Sequence, residues 1–226
     1  RRPPRSTLFP YTTLFRSAVD PDRRVVLSLG VSLQASTAAP LSPDRPLRLL
    51  FVGRLVPIKG VDLLIRAVSR VAGVTLDIAG DGPEASALRA LAADLGAPVR
   101  FLGQVAHEAA MRAMQVADLL LVPSRRTRLG REEGLPRVLL EAWACGLPVV
   151  ATSTGGMTEA IARQGGGLLC VPGDVADLAR TLRLCRTEPA VHRRLRTEAL
   201  AVGQSYGWEV VGPRWADWVR SLADGG

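Results

Sequence analysis

From residue 47 onward, short apolar runs alternate with longer stretches whose apolar positions recur at helical spacing. The runs predict strands over 48–52, 75–79, 99–102, 119–122, 149–151 and 168–171. Between and after them, helices are predicted over 61–71, 83–95, 108–116, 136–145, 158–163, 178–186, 190–204 and 210–222. Strands that are apolar throughout, and separated by helices, form a parallel sheet covered on both faces. The expected fold is therefore α/β, a Rossmann-like, doubly wound parallel sheet. In that class ligands sit beyond the carboxyl ends of the strands, so the loops that leave strands are where chemistry is sought.

Before residue 47 the pattern is weaker. An isolated apolar run, VVLSLG at 25–30, is followed by a Ser-, Ala- and Pro-rich linker over 32–46. Residues 1–17 match neither period and contain no secretory apolar region. Within them Ser6–Ser17 reads STLFPYTTLFRS and holds three of the six Phe and Tyr of the chain: Phe9, Tyr11 and Phe15. This string resembles the in-frame translation of a short-read sequencing adapter. The expected organisation is an artefactual, disordered tail over 1–17, the remnant of a junction with its linker over 18–46, and one domain over 47–226. A further expectation is that sequence once preceding the junction is missing.

Composition narrows the function classes. The net charge of +8 is carried by twenty-eight Arg and one Lys, Lys59. Residues 1–17 account for four of the Arg and no acid, so half of that excess lies outside the domain. The remaining Arg are scattered, without a basic stripe interleaved with aromatics, which argues against nucleic acid. Cys145, Cys170 and Cys185 are odd in number and lack CxxC spacing. A disulfide framework and a zinc site are not expected, and a reducing cytoplasm fits. With only His107 and His192, a His-based metal site has little to draw on.

Three loops carry candidate chemistry. The first, GRLVPIKG at 53–60, leaves the first strand. Gly53 lets backbone pass close to a ligand, Arg54 offers a planar fork of donors, and Lys59 a compact charge. Beside a helix N-terminus these suit a diphosphate, whereas the plainer reading is a solvated loop with two ordinary cations. The second, EGLPRVLLE at 133–141, places Glu133 before a helix and Glu141 one to two turns inside it. The amides of Gly134 and Leu135 suit phosphate oxygens, and Pro136 is expected to preset the first turn. Taken singly, Glu141 also suits an ion pair with Arg137, and Glu133 suits the helix dipole. The third, TSTGGMTE at 152–159, has a Gly pair that permits close backbone approach or a tight turn. A fourth stretch, GDGPEA at 80–85, matches a dinucleotide fingerprint in form. The next strand ends without the acidic residue that fingerprint needs, and Pro83 at the first helical position explains the stretch as a cap.

In their order, FVGRLVPIKG, DIAGDGPE, RFLGQV, ADLLLVPS, EEGLPRVLLEAWACGLPVVAT and GGMTEAI resemble the C-terminal domain of the GT-B-type retaining glycosyltransferases of family 4, which includes bacterial polysaccharide and lipopolysaccharide enzymes. The resemblance runs from about residue 47 to 171. It implies that 47–226 binds a UDP- or GDP-sugar donor, which passes its sugar to an acceptor hydroxyl with retention. By resemblance Arg54 and Lys59 hold the donor diphosphate, Glu133 contacts the sugar and Glu141 the ribose. Gly53 and the Gly134, Leu135 and Pro136 backbone line the phosphates, and Gly103 to Val105 flank the base. Neither metal nor cofactor is implied. The acceptor site belongs to an N-terminal domain outside this chain, so this part is expected to bind donor but turn over little. The full-length protein is expected in the cytoplasm, with peripheral association at the inner membrane face. Residues 126–132 (RTRLGRE) are more basic than the corresponding loops of that family. A non-catalytic nucleotide-binding module and a GT-B-type nucleotide-sugar epimerase are the alternatives.

Overall fold

The structure, a computed structural model, describes residues 29–34, 37–38, 41–42, 44–126 and 132–223. The expectations for 1–17, for most of the run at 25–30 and for 127–131 lie outside the described residues.

The strands are β1 (Leu47–Val52), β2 (Val74–Ala79), β3 (Val99–Gly103), β4 (Leu119–Val122), β5 (Val149–Thr152) and β6 (Gly167–Cys170). They form one parallel sheet in the order β3-β2-β1-β4-β5-β6. Each predicted strand is present to within a residue at either end. The helices are α1 (Val61–Val68), α2 (Ala85–Asp94), α3 (His107–Val116), α4 (Arg137–Ala144), α5 (Gly155–Gln164), α6 (Val175–Thr187), α7 (Pro189–Ser205) and α8 (Trp208–Ala223). A 3-10 turn, Pro57–Lys59, precedes α1.

Several helix starts differ from expectation, α6 for instance beginning at Val175 rather than 178. Pro83 is not the first helical residue: it lies in a turn, and α2 begins at Ala85. Pro136 likewise stands one step outside α4, as its N-cap with ψ 135. A proline restrains its own φ but leaves ψ free, so it can end the extended segment as readily as open the helix. α5 begins three residues before its predicted start because the GG pair itself enters the helix, with Gly155 at φ 50.

Side chains of β1 divide between two cores. Leu47, Leu49 and Phe51 pack with α1, α2 and α6, while Leu50 packs with α3, α4 and α5. Each fully buried Leu or Ile, such as Leu64 and Ile65, contributes roughly 1.5–3 kcal/mol. Trp143 of α4, wholly buried, donates from Nε1 to Gly166 O at 3.0 Å. The three cysteines are buried free thiols, and burial pushes Cys145 and Cys170 up to about 11 and Cys185 up to about 12, which suits core packing rather than reactivity.

From β1 the chain builds β2 and β3 to one side, then crosses to build β4 on the other. At the carboxyl edge the chain therefore passes from β1 to α1 on one face and from β4 to α4 on the other, the switch point beside which a doubly wound sheet takes its ligand. The opposite edge is clamped. Asp118, fully buried ahead of β4, accepts from Arg45 at 2.6 and 2.9 Å and from the Arg48 amide at 2.8 Å. His192 of α7 donates from Nε2 to the Asp118 carbonyl at 2.8 Å. Burial by itself would raise the Asp118 carboxyl, but the hydrogen bonds from Arg45 and Arg48 outweigh it and hold it below the usual range. Burial depresses His192 against the opposing pull of its bond to Asp118.

Candidate functional site

The loop after β1 and the loop after β4 are fastened together. Gly60 adopts φ 64, and a Cβ there would stand 2.2 Å from Pro123 O, so only glycine fits. Arg125 N donates to Ile58 O at 2.8 Å, and the Arg125 guanidinium pairs with Asp62 of α1. This fastening brings Lys59, at the end of the 3-10 turn, to Glu133, which lies 74 residues away in sequence. Lys59 Nζ donates to Glu133 Oε1, with the two side chains only 20% and 16% exposed. The other carboxylate oxygen, Oε2, accepts from the hydroxyl of Ser124, a fully buried residue just past β4. Ser124 O in turn accepts from Thr152 Oγ1 at the end of β5.

The loop after β5 forms a third wall. The missing Cβ of Gly155 would lie 2.0 Å from Glu133 O, so the GG pair serves close approach of these two loops. Glu132 accepts from the Gly155 amide at 3.1 Å and from Arg126 Nε at 2.6 Å, so its carboxylate occupies the start of α5. Glu159 of that loop's sequence pairs with Arg163 at 3.0 Å and is not drawn to the Lys59–Glu133 pair.

Glu141 lies in the second turn of α4, its side chain 13% exposed. Arg137 Nε meets its Oε1 at 2.8 Å, which is the i,i+4 pair the plainer reading expected. His107 Nδ1, in the first turn of α3, is 4.0 Å from the same oxygen. That contact brings the start of α3, just after the Gly103 to Val105 segment, to Glu141. Gly103 ends β3 at φ 70 with open space where a Cβ would point, and Val105 is half-buried against the core beneath α3 and α4. Gly134 and Leu135 bridge Glu133 to Pro136, and the first α4 amide to bond back is Leu139 N, to Pro136 O at 3.0 Å. Gly53 and exposed Arg54 lie at the start of the β1 loop. Among the described residues Arg54 makes no ion pair or side-chain hydrogen bond, and no contact joins it to Lys59 or Glu133.

The GDG stretch proves to be packing. A Cβ on Gly80 would fall 1.8 Å from Gly53 O, and one on Gly82 would fall 2.4 Å from Leu55 O. Leu55 N donates to Asp81 O at 2.9 Å and Glu84 N to Leu55 O at 3.2 Å. These glycines seat the β1 loop on the β2 loop, and so help to place Lys59. Sequence reasoning missed Ser124, the part of Glu132, the bond of Thr152 to Ser124 and the approach of His107 to Glu141. A serine past a strand is too common to carry a signal, and each of these contacts joins loops distant in sequence.

Residues 46–186 match the family Glycosyl transferases group 1. Over 174 residues the chain is 34% identical to the GDP-mannose-dependent monoacylated alpha-(1-6)-phosphatidylinositol monomannoside mannosyltransferase of Corynebacterium glutamicum, covering 74% of this chain and 45% of that protein. It is 37% identical over 215 residues to the D-inositol 3-phosphate glycosyltransferase of Frankia alni, covering 84% of this chain and 51% of the relative. Among solved structures, HepE of Anabaena in complex with UDP-glucose superposes with a TM-score of 0.70 at 27% identity, over 79% of this chain and 50% of that one. Sucrose-phosphate synthase of Thermosynechococcus elongatus gives 0.71 at 27% identity, over 88% and 53%. The chain thus spans about half the length of the relatives it matches. With a doubly wound sheet, a cluster of charged and polar side chains at its switch point and a match that covers most of the domain, the chain belongs to the glycosyl transferases group 1 family.

Proposed function

We propose that the carboxyl edge of the sheet binds a nucleoside diphosphate sugar, UDP- or GDP-linked, as the donor half-site of a retaining glycosyltransferase of family 4. The observation that carries this is the Lys59–Glu133 pair, partly buried at the switch point with its second carboxylate oxygen held by Ser124. A cation and a carboxylate kept together at a ligand crevice have separate uses once a donor enters. Lys59, with Arg54 and the backbone from Gly134 to Pro136, takes the diphosphate. Glu133 faces hydroxyls of the sugar, Glu141 accepts from the ribose, and Gly103 to Val105 flank the base. Relatives support the donor class: one is named for GDP-mannose and a structural neighbour holds UDP-glucose.

In the transfer, the bond from the anomeric carbon to the diphosphate oxygen breaks as the acceptor oxygen bonds to that carbon, and the acceptor's proton passes to the departing diphosphate. Charge grows on the leaving diphosphate, and fixed cations stabilise it without reorganising. Arg54 and Lys59 take that part here. The acceptor side is assigned to sequence beyond this chain, since the relatives are about twice as long. The place of the reaction is cell-surface polysaccharide or glycolipid synthesis at the cytoplasmic side of the membrane. Isothermal titration with UDP, GDP, UDP-glucose and GDP-mannose tests the reading. Binding of one nucleotide series is the expected result. No heat with any of the four overturns it.

A further inference from the structure

We propose that Ser124 is a positioning residue for Glu133, holding the carboxylate toward the sugar when Lys59 turns to the diphosphate; this rests on the donor-site reading above. Without ligand, the two oxygens of Glu133 are divided between Lys59 on Oε1 and Ser124 on Oε2. A diphosphate draws Lys59 away, because it is the stronger charge. Glu133 then keeps one donor, the Ser124 hydroxyl, and that bond decides where its freed oxygen points. A carboxylate without it would swing toward water or follow Lys59.

Ser124 is suited to the task because it cannot itself drift. It is fully buried, and its carbonyl is bound by Thr152, also buried, from the next strand. The residue before it is pressed against Gly60 and the residue after it is bonded to Ile58, so the β1, β4 and β5 loops all meet at this one position. A buried hydroxyl must find a partner, and a carboxylate is the strongest acceptor it can have. The sequence around it therefore builds a chain from Thr152 through Ser124 to Glu133 and Lys59, in which only Lys59 belongs to the diphosphate side.

The test separates the sugar from the nucleotide. For the series that the wild type binds, the ratio of Kd for the free nucleotide to Kd for its sugar gives the contribution of the sugar. Ser124→Ala is expected to leave UDP or GDP affinity within about twofold and to remove most of that ratio, on the order of tenfold for a hydrogen bond to a charged group. Ser124→Thr, which keeps the hydroxyl, retains it. Equal loss for nucleotide and nucleotide sugar, or an unchanged ratio, overturns the proposal. A second measurement needs no ligand. Lys59 is the only lysine of the chain, so its acetylation by an amine-selective reagent is read at a single peptide. Glu133→Gln sets the rate for a broken pair, and Ser124→Ala is expected to move at least halfway toward it. An unchanged or slower rate shows that Glu133 keeps its place unaided and overturns the proposal. If wild-type protein binds none of the four probes, the donor-site reading fails, while the acetylation rates still decide what holds Glu133.

Discussion

Glu141 shows most clearly how a residue can have two readings at once. Its pair with Arg137 at 2.8 Å is real, yet Arg137 is 67% exposed, and such pairs contribute well under 1 kcal/mol in water. Stability alone gives little reason for a carboxylate to lie only 13% exposed at the carboxyl edge of the sheet. Glu141→Gln is therefore expected to change the urea midpoint of unfolding hardly at all, but to weaken nucleotide binding about tenfold, as loss of a charged hydrogen-bond partner does. The reverse pattern, lost stability with unchanged Kd, would assign Glu141 to the ion pair alone. Lys59 was legible because it is the one lysine in a chain that otherwise uses arginine. Its bond to Glu133 was not, since the two residues meet only after three strands and three helices have folded between them. Ser124 left no local trace for the same reason.

At the scale of elements, the periodicities carried nearly all the information. Apolar runs bounded by turn residues marked each strand, because a strand buried on both faces has no alternative composition. Helix starts were less legible where glycine or proline stood, since these residues permit several geometries and the neighbouring loop selects one. The GDG stretch is the instructive case. Its spacing imitates a dinucleotide fingerprint, but its physical cause is that Gly80 and Gly82 face backbone oxygens of the β1 loop. Gly80→Ala would force a Cβ to within 1.8 Å of Gly53 O, and neither partner is a movable side chain. The expected cost is about 3 kcal/mol, as for overpacking in a rigid site, read from chemical denaturation. Because the β1 loop carries Lys59, the same variant is expected to bind nucleotide more weakly where it remains folded. A variant of unchanged stability and affinity would show that the two loops are not coupled.

Across the whole molecule, the two edges of the sheet divide the work. The carboxyl edge holds the unlike charges of Lys59 and Glu133 together, and the amino edge is closed by Asp118, Arg45, Arg48 and His192. Sheet order was not legible in local pattern: nothing in β4 itself says that it pairs with β1 rather than β3. It follows from the crossover, which only the complete packing decides. The clamp ties the linker, β1, β4 and α7 together, so Asp118→Asn is expected to destabilise the fold by about 3 kcal/mol, in the range found when one member of a buried ion pair is removed. The acid response follows from the same groups. Asp118 and His192 both have folded values below their ordinary ones of 3.8 and 6.5. Groups of this kind stabilise the fold above their unfolded values and lose that contribution as pH falls through the folded ones. Stability is therefore expected to fall in two stages, first below 6.5 as His192 resists protonation and again below 3.8 as Asp118 gains its proton. Urea midpoints across that range test this, and in His192→Asn the first stage disappears. A midpoint that stays level from neutral pH to the second stage in the wild type would remove His192 from the account.

If the Lys59–Glu133 pair faces a nucleoside diphosphate sugar, a bound donor covers the Lys59 amine. The most direct measurement is the rate of acetylation at Lys59, followed at its peptide, with and without saturating UDP-glucose or GDP-mannose. Strong protection is expected from one of the two and from its free nucleotide, with none from the sugar alone. Labelling at the same rate in the presence of every one of these ligands would contradict it.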